Sequence, residues 1–454
     1  MYDRIFSKVL FPAYETGLRR RPTLRYLREY ERQQWLSPEE ISELQLAKLR
    51  ALLSHAATNV PHFADVLKSS GVTADDIRQP GDLTALPIMT KEDVRQDYQR
   101  FVSRSLAPTN LRKATGGSTG DPFQFEYTWE SEFRRQAVMW RGYRWAGADL
   151  GRRSAYLWAS PASGKNGWAR LKEIAFHRLF GRRFLDCFEM SDDRLPEFAR
   201  RLANQRPQIV VAYVSAGTLL AQWMLDHDFL IPPPRAVITG AEPLYEPQRD
   251  LLERAFRAPV FNTYGSREFM LIAAECSEHA GLHINADHLI VETVDDEGRP
   301  VIDQPGRVVI TDLHNFGMPF IRYWNGDVAQ LVTRPCSCKR GLPLLSHIEG
   351  RELDIIRFRD GRRLPGEYFP HTFKDFSQIS RFQVVQERLD EICVRIVPAE
   401  GESTDSMQEV RERLRQDLGD SIEIKLELVD EIPLTPAGKR RITVSLLDEA
   451  GKVS

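Results

Sequence analysis

Residues 208–265 read QIVVAYVSAGTLLAQWMLDHDFLIPPPRAVITGAEPLYEPQRDLLERAFRAPVFNTYG. Three runs in this stretch, QIVVAYV, RAVITGA and APVFNTYG, are short and rich in β-branched and apolar residues, as strands buried on both faces are. Between them, TLLAQWMLDH and PQRDLLERAF repeat apolar residues at the helical period. The most apolar part, Ile209–Leu225, carries Ser215, Gly217, Thr218 and Gln222 and falls short of a membrane span. It reads as a buried strand, a turn at Ser215–Gly217, and a helix. Strand and helix alternating in this way build a mostly parallel α/β sheet.

The same texture extends upstream through the strand RSAYLWAS (153–160) and the helix PEFARRLANQ (196–205). Earlier still, residues 36–75 read as helical. Ser37 is an N-cap, Pro38 takes the first helical position, and Glu39 and Glu40 favour the first turn. After residue 283 the pattern becomes strands and turns, in HLIVETVDDEGRPV, GRVVITDL and VAQLVT, with a hairpin turn at Asp296–Arg299. The last hundred residues alternate strand, helix and strand in RFQVVQERLDEICVRIVPAE, MQEVRERLRQDLG and SIEIKLELVDEI, a small β-α-β unit. The division expected is 1–349 and 350–454, joined near Gly350–Arg351. The first part holds mostly parallel sheet and a strand-rich subdomain, and the second is a small α+β domain.

Composition narrows the function classes. The chain of 454 residues carries 62 Lys and Arg against 64 Asp and Glu, a formal charge of −2 that argues against nucleic-acid binding. With 42% hydrophobic residues it has ample material for more than one core. No signal peptide or integral membrane segment is read. Segment 1–35 mixes aromatic residues with Arg19, Arg20, Arg21, Arg25 and Arg28, and a solvated basic helix face is the simpler reading than a membrane surface. Five cysteines do not make a disulfide framework and fit a cytoplasmic, reducing location.

The densest chemical signal is Ala114–Pro122, ATGGSTGDP. Three glycines free the backbone to turn N–H groups around an anion, and Thr115, Ser118 and Thr119 add hydroxyl donors. These are the requirements of a phosphate cradle. No Lys follows the last glycine, so it is not a Walker loop. A second concentration of chemistry is Cys276, His279, His283, Cys336 and Cys338. Thiolates with one imidazole suit a tetrahedral structural Zn²⁺. Cys276, His283, Cys336 and Cys338 are the expected ligands, with His283 preferred to His279 because it enters the strand LHIN.

TGGSTGDP resembles the phosphate loop of the adenylate-forming enzymes, the superfamily of acyl-CoA ligases, luciferases and peptide-synthetase adenylation domains. Further segments resemble that superfamily in the same order. ITGAEPL (238–244) is similar to the segment lining the adenine pocket, with Gly240, Ala241 and Glu242. YGSRE (264–268) resembles its Tyr-Gly-x-x-Glu signature. RYWNGD (322–327) resembles Tyr-Arg-Thr-Gly-Asp, with Trp324 and Asn325 in place of the usual Arg and Thr. GRELD (350–354) resembles the hinge, and PLTPAGKRR (433–441) the loop of the catalytic lysine. The helical start and HAATNVPHF most resemble phenylacetate–coenzyme A ligases and CapK-type proteins. FRDGRRLPGEYF (358–369) departs from the glycine-rich loop of the former and leans to the latter.

The resemblance implies an α/β adenylate-forming fold whose small C-terminal domain is mobile. It assigns ATP to Thr115, Gly116, Gly117, Ser118, Thr119, Gly120, Gly240, Ala241, Glu242, Tyr264, Gly265, Asp327 and Arg351. Tyr264 stacks on adenine and Asp327 holds the ribose hydroxyls. Glu268, with Thr119, ligates Mg²⁺; Asp354 is the hinge, and Lys439 stabilises charge during adenylation. The implied partners are a carboxylic acid and an acceptor, coenzyme A or another nucleophile: an amine, a carrier thiol or a sugar hydroxyl. Tyr143, Trp158 and Tyr213 are expected to face the acid. The contrasting readings are a non-catalytic nucleotide binder and a kinase-like or glycosyl-transfer enzyme using the 114–122 loop alone. The sequence leaves the oligomeric state open, a dimer included.

Overall fold

The structure is a computed structural model that describes residues 2–114, 123–162, 166–190, 192–351, 356–359, 363–364, 368–373, 376, 378–399, 407–419, 422–433 and 441–447. Two compact units are formed, Met1–Leu244 with Leu251–Ile348, and Glu349–Ser454 with Tyr245–Asp250.

The first unit opens with helices. Ser37 caps the helix Pro38–Asn59 in a reciprocal box with Glu40. The continuous helix read over 36–75 is broken at Val60, where extended backbone precedes Pro61 and a second helix, Pro61–Ser70, begins. That helix stops at Gly71, whose φ of 65° supplies the left-handed cap.

β1 (Leu111–Ala114) and β2 (Gln124–Tyr127) pair antiparallel, Leu111 opposite Tyr127. The central sheet then begins with β3 (Ser154–Trp158), β4 (Arg182–Asp186), β5 (Ile209–Tyr213), β6 (Ala236–Gly240) and β7 (Val260–Tyr264). These five are parallel, in register from Ser154 opposite Ile209 through Tyr213 opposite Gly240. Every residue of β5 and β6 is buried, which explains their unbroken apolar reading. The sheet continues with β8 (Ala273–Glu275), β9 (Leu282–Ile284), β10 (Leu289–Val294), β11 (Pro305–Asp312), β12 (Tyr323–Val332) and β13 (Leu344–Arg351). The order of all eleven is β10-β11-β12-β13-β9-β8-β7-β6-β5-β3-β4. The turn at Asp295–Arg299 forms, with Gly298 N–H donating to Asp295 O and φ at Gly298 of 77°.

The turn expected at Ser215–Gly217 is absent. The helix Val214–Asp226 starts directly from Tyr213, and Ser215 lies in its first turn. The Glu242 carboxylate accepts from Ser215 N at 2.6 Å and Ser215 Oγ at 2.9 Å, satisfying an N-terminal donor that would otherwise be orphaned. The helix Trp129–Trp145 is tied to the antiparallel part of the sheet by two fully buried ion pairs, Arg141 with Asp287 and Arg135 with Asp312. Arg141 also reaches Asn285 Oδ1 and Tyr30 O, so the desolvated guanidinium keeps several partners.

The second unit has a four-stranded sheet. β14 (Ile356–Arg357) and β15 (Arg363–Leu364) form a separate pair, and β16 (Ile379–Arg388), β17 (Glu391–Pro398), β18 (Glu423–Leu428) and β19 (Thr443–Ser445) are ordered β18-β17-β16-β19. The run 381–400 is therefore an antiparallel hairpin rather than one strand, and the helix Met407–Leu418 buries Val410, Leu414 and Leu418 in this unit's core. No described helix is long and apolar enough to cross a membrane.

Candidate functional site

The carboxyl ends of parallel strands are where α/β sheets bind ligands. Here these ends carry Trp158 on β3, Tyr213 on β5, Gly240 on β6 and Tyr264 on β7. The Trp158 and Tyr213 rings lie 3.9 Å apart between centroids. A Cβ on Gly240 would come within 2.6 Å of Thr263 Oγ1 and 3.9 Å of Trp158, so the chain closes tightly here. Ala241 then takes a left-handed φ of 69°, and Glu242 is held by Ser215 as described. Tyr143 packs with Ile238 and Phe261 in a cluster that also takes in Trp158.

Tyr264 is fixed by its hydroxyl. It donates to Asp327 Oδ2 at 2.7 Å and accepts from Asn325 Nδ2 at 2.7 Å. Asn325 Nδ2 also lies 2.7 Å from Asp327 Oδ2, and Asn325 Oδ1 accepts from Asp327 N at 3.1 Å. Burial and the Asp327 carboxylate push the Tyr264 hydroxyl well above its usual pKa, so it stays a donor. Asn325, noted in the sequence only as a departure from Thr, thus ties Tyr264 to Asp327. Gly265 is required next to it, because a Cβ there would sit 1.9 Å from Met270 O. That close turn is closed by Met270 N donating to Ser266 O at 2.7 Å.

Glu268 is 3% exposed. Its Oε1 accepts from Tyr323 Oη at 3.3 Å and lies 3.7 Å from Lys91 Nζ. Burial first, and then Glu268, hold the Tyr323 hydroxyl well above its usual pKa. Lys91 was not singled out in the sequence, since its partner lies far along the chain. Its local signal is a capping box, Thr90 with Asp93, that places Lys91 at the first helical position. As a carboxylate, Glu268 suits a hard cation such as Mg²⁺. Arg322 does not line this site. It is 2% exposed, pairs with Glu292 and donates to Leu86 O at 2.7 Å.

Thr115, Gly116, Gly117, Ser118, Thr119, Gly120, Asp354 and Lys439 lie outside the described residues, as does the side chain of Arg351.

The cysteine cluster does come together. One ligand atom from each of Cys276, His283, Cys336 and Cys338 lies within 4.8 Å of all the others, the single such group of three or more metal-binding side chains among the described residues. Cys276 Sγ and Cys336 Sγ are 3.7 Å apart, and Cys338 Sγ is 3.2 Å from His283 Nε2. A tetrahedron with Zn–S bonds of about 2.3 Å has S···S edges of about 3.7 Å. Two tight turns present the thiols, with His279 N donating to Cys276 O at 3.1 Å and Lys339 N to Cys336 O at 3.2 Å. His279 and Lys339 both take left-handed φ, 48° and 66°. His283 Nδ1 lies 3.2 Å from Leu342 O, the contact that leaves Nε2 as the ligand nitrogen. Burial lowers the His283 pKa to about 4, so the ring is neutral and able to ligate. His279 turns instead to Glu275, at 3.2 Å. The donor set and its spacing fit a structural zinc.

Residues 358–445 match the model of the CapK C-terminal domain. The chain is 21% identical to protein CapK of Staphylococcus aureus over 94% of both chains. It is 24% identical to phenylacetate-coenzyme A ligase of Thermus thermophilus, over 90% of this chain and 98% of that one. Among solved structures, 2-hydroxyisobutyryl-CoA ligase in the postadenylation state superposes with a TM-score of 0.73 at 19% identity, covering 92% of both chains. A lower likeness, with a TM-score of 0.53, joins it to anthranilate CoA ligase over 73% of this chain. The chain is thus similar along nearly its whole length to CapK and to phenylacetate–coenzyme A ligases, and it has the fold of 2-hydroxyisobutyryl-CoA ligase.

Proposed function

We propose that the chain is an ATP-dependent ligase that activates a carboxylic acid as its acyl-adenylate and passes the acyl group to coenzyme A. The observation that carries this reading is the joined set Tyr264, Asn325 and Asp327, placed with Glu268 at the strand ends of one unit. The Tyr264 ring supports adenine, with its hydroxyl locked to Asp327. Asp327 accepts from the ribose hydroxyls. A carboxylate oxygen of the acid attacks the α-phosphorus, the bond to the β-phosphate oxygen breaks, and pyrophosphate leaves. The acceptor thiol then attacks the acyl carbon, its proton is released and AMP leaves. Mg²⁺, when held by Glu268 and hydroxyls of the 115–120 loop, would neutralise the triphosphate. Lys439 is assigned the charge that develops in adenylation, and the unit beginning near residue 350 is taken to turn at Asp354 between the two steps. Trp158 and Tyr213 are the assigned walls for the acid.

Zinc is assigned to Cys276, His283, Cys336 and Cys338, where it would cross-link the turn after β8 to the turn before β13. It supplies structure and takes no part in the reaction. Cysteines without disulfides and the use of ATP support a cytoplasmic location.

Hydroxylamine traps acyl-adenylates as hydroxamates. Over a panel of aromatic and aliphatic acids, the proposal expects hydroxamate and pyrophosphate to appear together, with ATP and an acid both required. Replacing hydroxylamine by coenzyme A should give a thioester. Adenylation followed by transfer only to amines or hydroxyls would keep the first step and overturn the acceptor. No pyrophosphate with any acid would point to a non-catalytic binder, and ADP formation to a kinase-like reaction.

A further inference from the structure

The helix Gly167–Leu179 buries none of its thirteen residues. At 100° per residue, Trp168, Leu171, Ala175 and Leu179 fall on one stripe. Trp168 is 77% exposed, Leu171 57% and Leu179 51%. The half-buried residues Glu173, Ile174 and His177 lie on the opposite side, so the apolar stripe faces outward. An amphipathic helix ordinarily turns this side to the core.

A second segment continues the same surface. The chain start runs as a helix over Tyr2–Ile5 and in wider turns over Phe6–Leu10. It is joined to the long helix by Tyr2 Oη donating to Leu179 O, and by Phe6 and Phe11 packed on Phe180 at 5.1 and 5.5 Å. Phe6 and Phe11 are buried in this joint, while Ile5, Val9 and Leu10 are exposed. Two segments distant in sequence, joined at Leu179 and Phe180, thus each expose apolar side chains.

The surrounding charge indicates what covers it. Residues 2–20 and 167–183 together contain nine Lys and Arg against three Asp and Glu, in a chain whose overall charge is −2. Of those acids, Glu15 is buried and Glu173 is paired with His177 at 3.1 Å. Lys8, Lys172, Arg178 and Arg183 are exposed, and at 100° per residue Lys172 and Arg178 flank the apolar stripe. Pairing this face with a second copy of itself would bring cationic rims together, which opposes association. An anionic bilayer surface matches both features, with apolar side chains entering the acyl boundary and cations meeting the headgroups.

We propose that the face formed by Gly167–Leu179 and the chain start seats the protein on anionic membrane surfaces. The proposal is independent of the reaction assigned to the active site. It is tested by co-sedimentation of the full chain with vesicles of phosphatidylcholine alone or with about 30% phosphatidylglycerol. The bound fraction should rise roughly tenfold with the anionic lipid and fall severalfold when salt is raised from about 0.05 to 0.5 M. The double substitution W168E/L171E should abolish binding while leaving pyrophosphate exchange and melting temperature unchanged. K172E/R178E, which spares the apolar stripe, should weaken binding roughly tenfold in the anionic vesicles and provides the test if the first variant misfolds. Absence of anionic-lipid-dependent sedimentation, or unchanged binding by both variants, overturns the proposal. So does light scattering that shows a wild-type dimer becoming a monomer in W168E/L171E, since a second copy would then be the occupant.

Discussion

Substitution of Glu268 by Gln lowers acid-dependent ATP–pyrophosphate exchange by about 10²- to 10³-fold, the range found when one preorganised electrostatic group is removed from a catalytic centre. Glutamine keeps the shape and can still meet Tyr323, so the fold is expected to survive. What is lost is the buried negative charge, 3.7 Å from Lys91, that suits a hard cation. Lys91 is left without its partner, which adds to the local cost. Lys439→Ala is the informative companion. It should also abolish exchange, yet spare transfer to coenzyme A from a preformed acyl-adenylate, because its charge is assigned to the first step only. Exchange at the wild-type rate in either variant contradicts the role given to that residue.

Loss of a zinc ligand is expected to have the largest effect on stability. The cluster joins Cys276, just after β8, to Cys336 and Cys338, before β13, with His283 on β9 between them. β8 pairs with β7, Thr263 opposite Ala274 and Tyr264 opposite Ala273, so the cross-link also braces the strand that ends in Tyr264. Burial pushes the Cys276 thiol up to about 12, so without a cation that thiol stays neutral. Cys338→Ser should remove bound zinc, measured by mass spectrometry of the metal, and lower the melting temperature by on the order of 10 °C. A strong chelator should do the same to the wild type. Wild-type protein purified without metal, or a Cys338→Ser variant that melts unchanged, would return these residues to ordinary packing.

Much of the parallel sheet was readable from the sequence because β5 and β6 are buried on every residue, leaving an unbroken apolar signal. The turn misplaced at Ser215–Gly217 shows the limit of local reading. Gly and Ser there look like punctuation, yet Glu242, 27 residues on, satisfies the helix start from outside the helix. Val60 was misread in the opposite direction, although Pro61 marked the break in the sequence. The run 381–400 hid a hairpin, since its apolar alternation continues on both sides of the turn near Asp390.

At the candidate site, Tyr264, Glu268 and Asp327 stand in short motifs and were legible from them. Lys91 was not, because its meaning lies in a contact made by the fold. Asn325 looked like a lapse from the motif, whereas its amide bridges Tyr264 and Asp327, a role that residue type alone does not reveal. The meeting of Cys276 and His283 with Cys336 and Cys338, about fifty residues on, is made by the fold, in which two turns of similar shape bring the thiols together.

The central claim is that the acid is joined to AMP through its own oxygen. Incubating the enzyme with ATP, coenzyme A and a turned-over acid labelled with oxygen-18 in both carboxylate positions tests this directly by mass spectrometry of the products. One labelled oxygen should appear in AMP for each thioester formed, with pyrophosphate unlabelled. Label in orthophosphate alongside ADP, or thioester formation with no label in AMP, would contradict an acyl-adenylate intermediate.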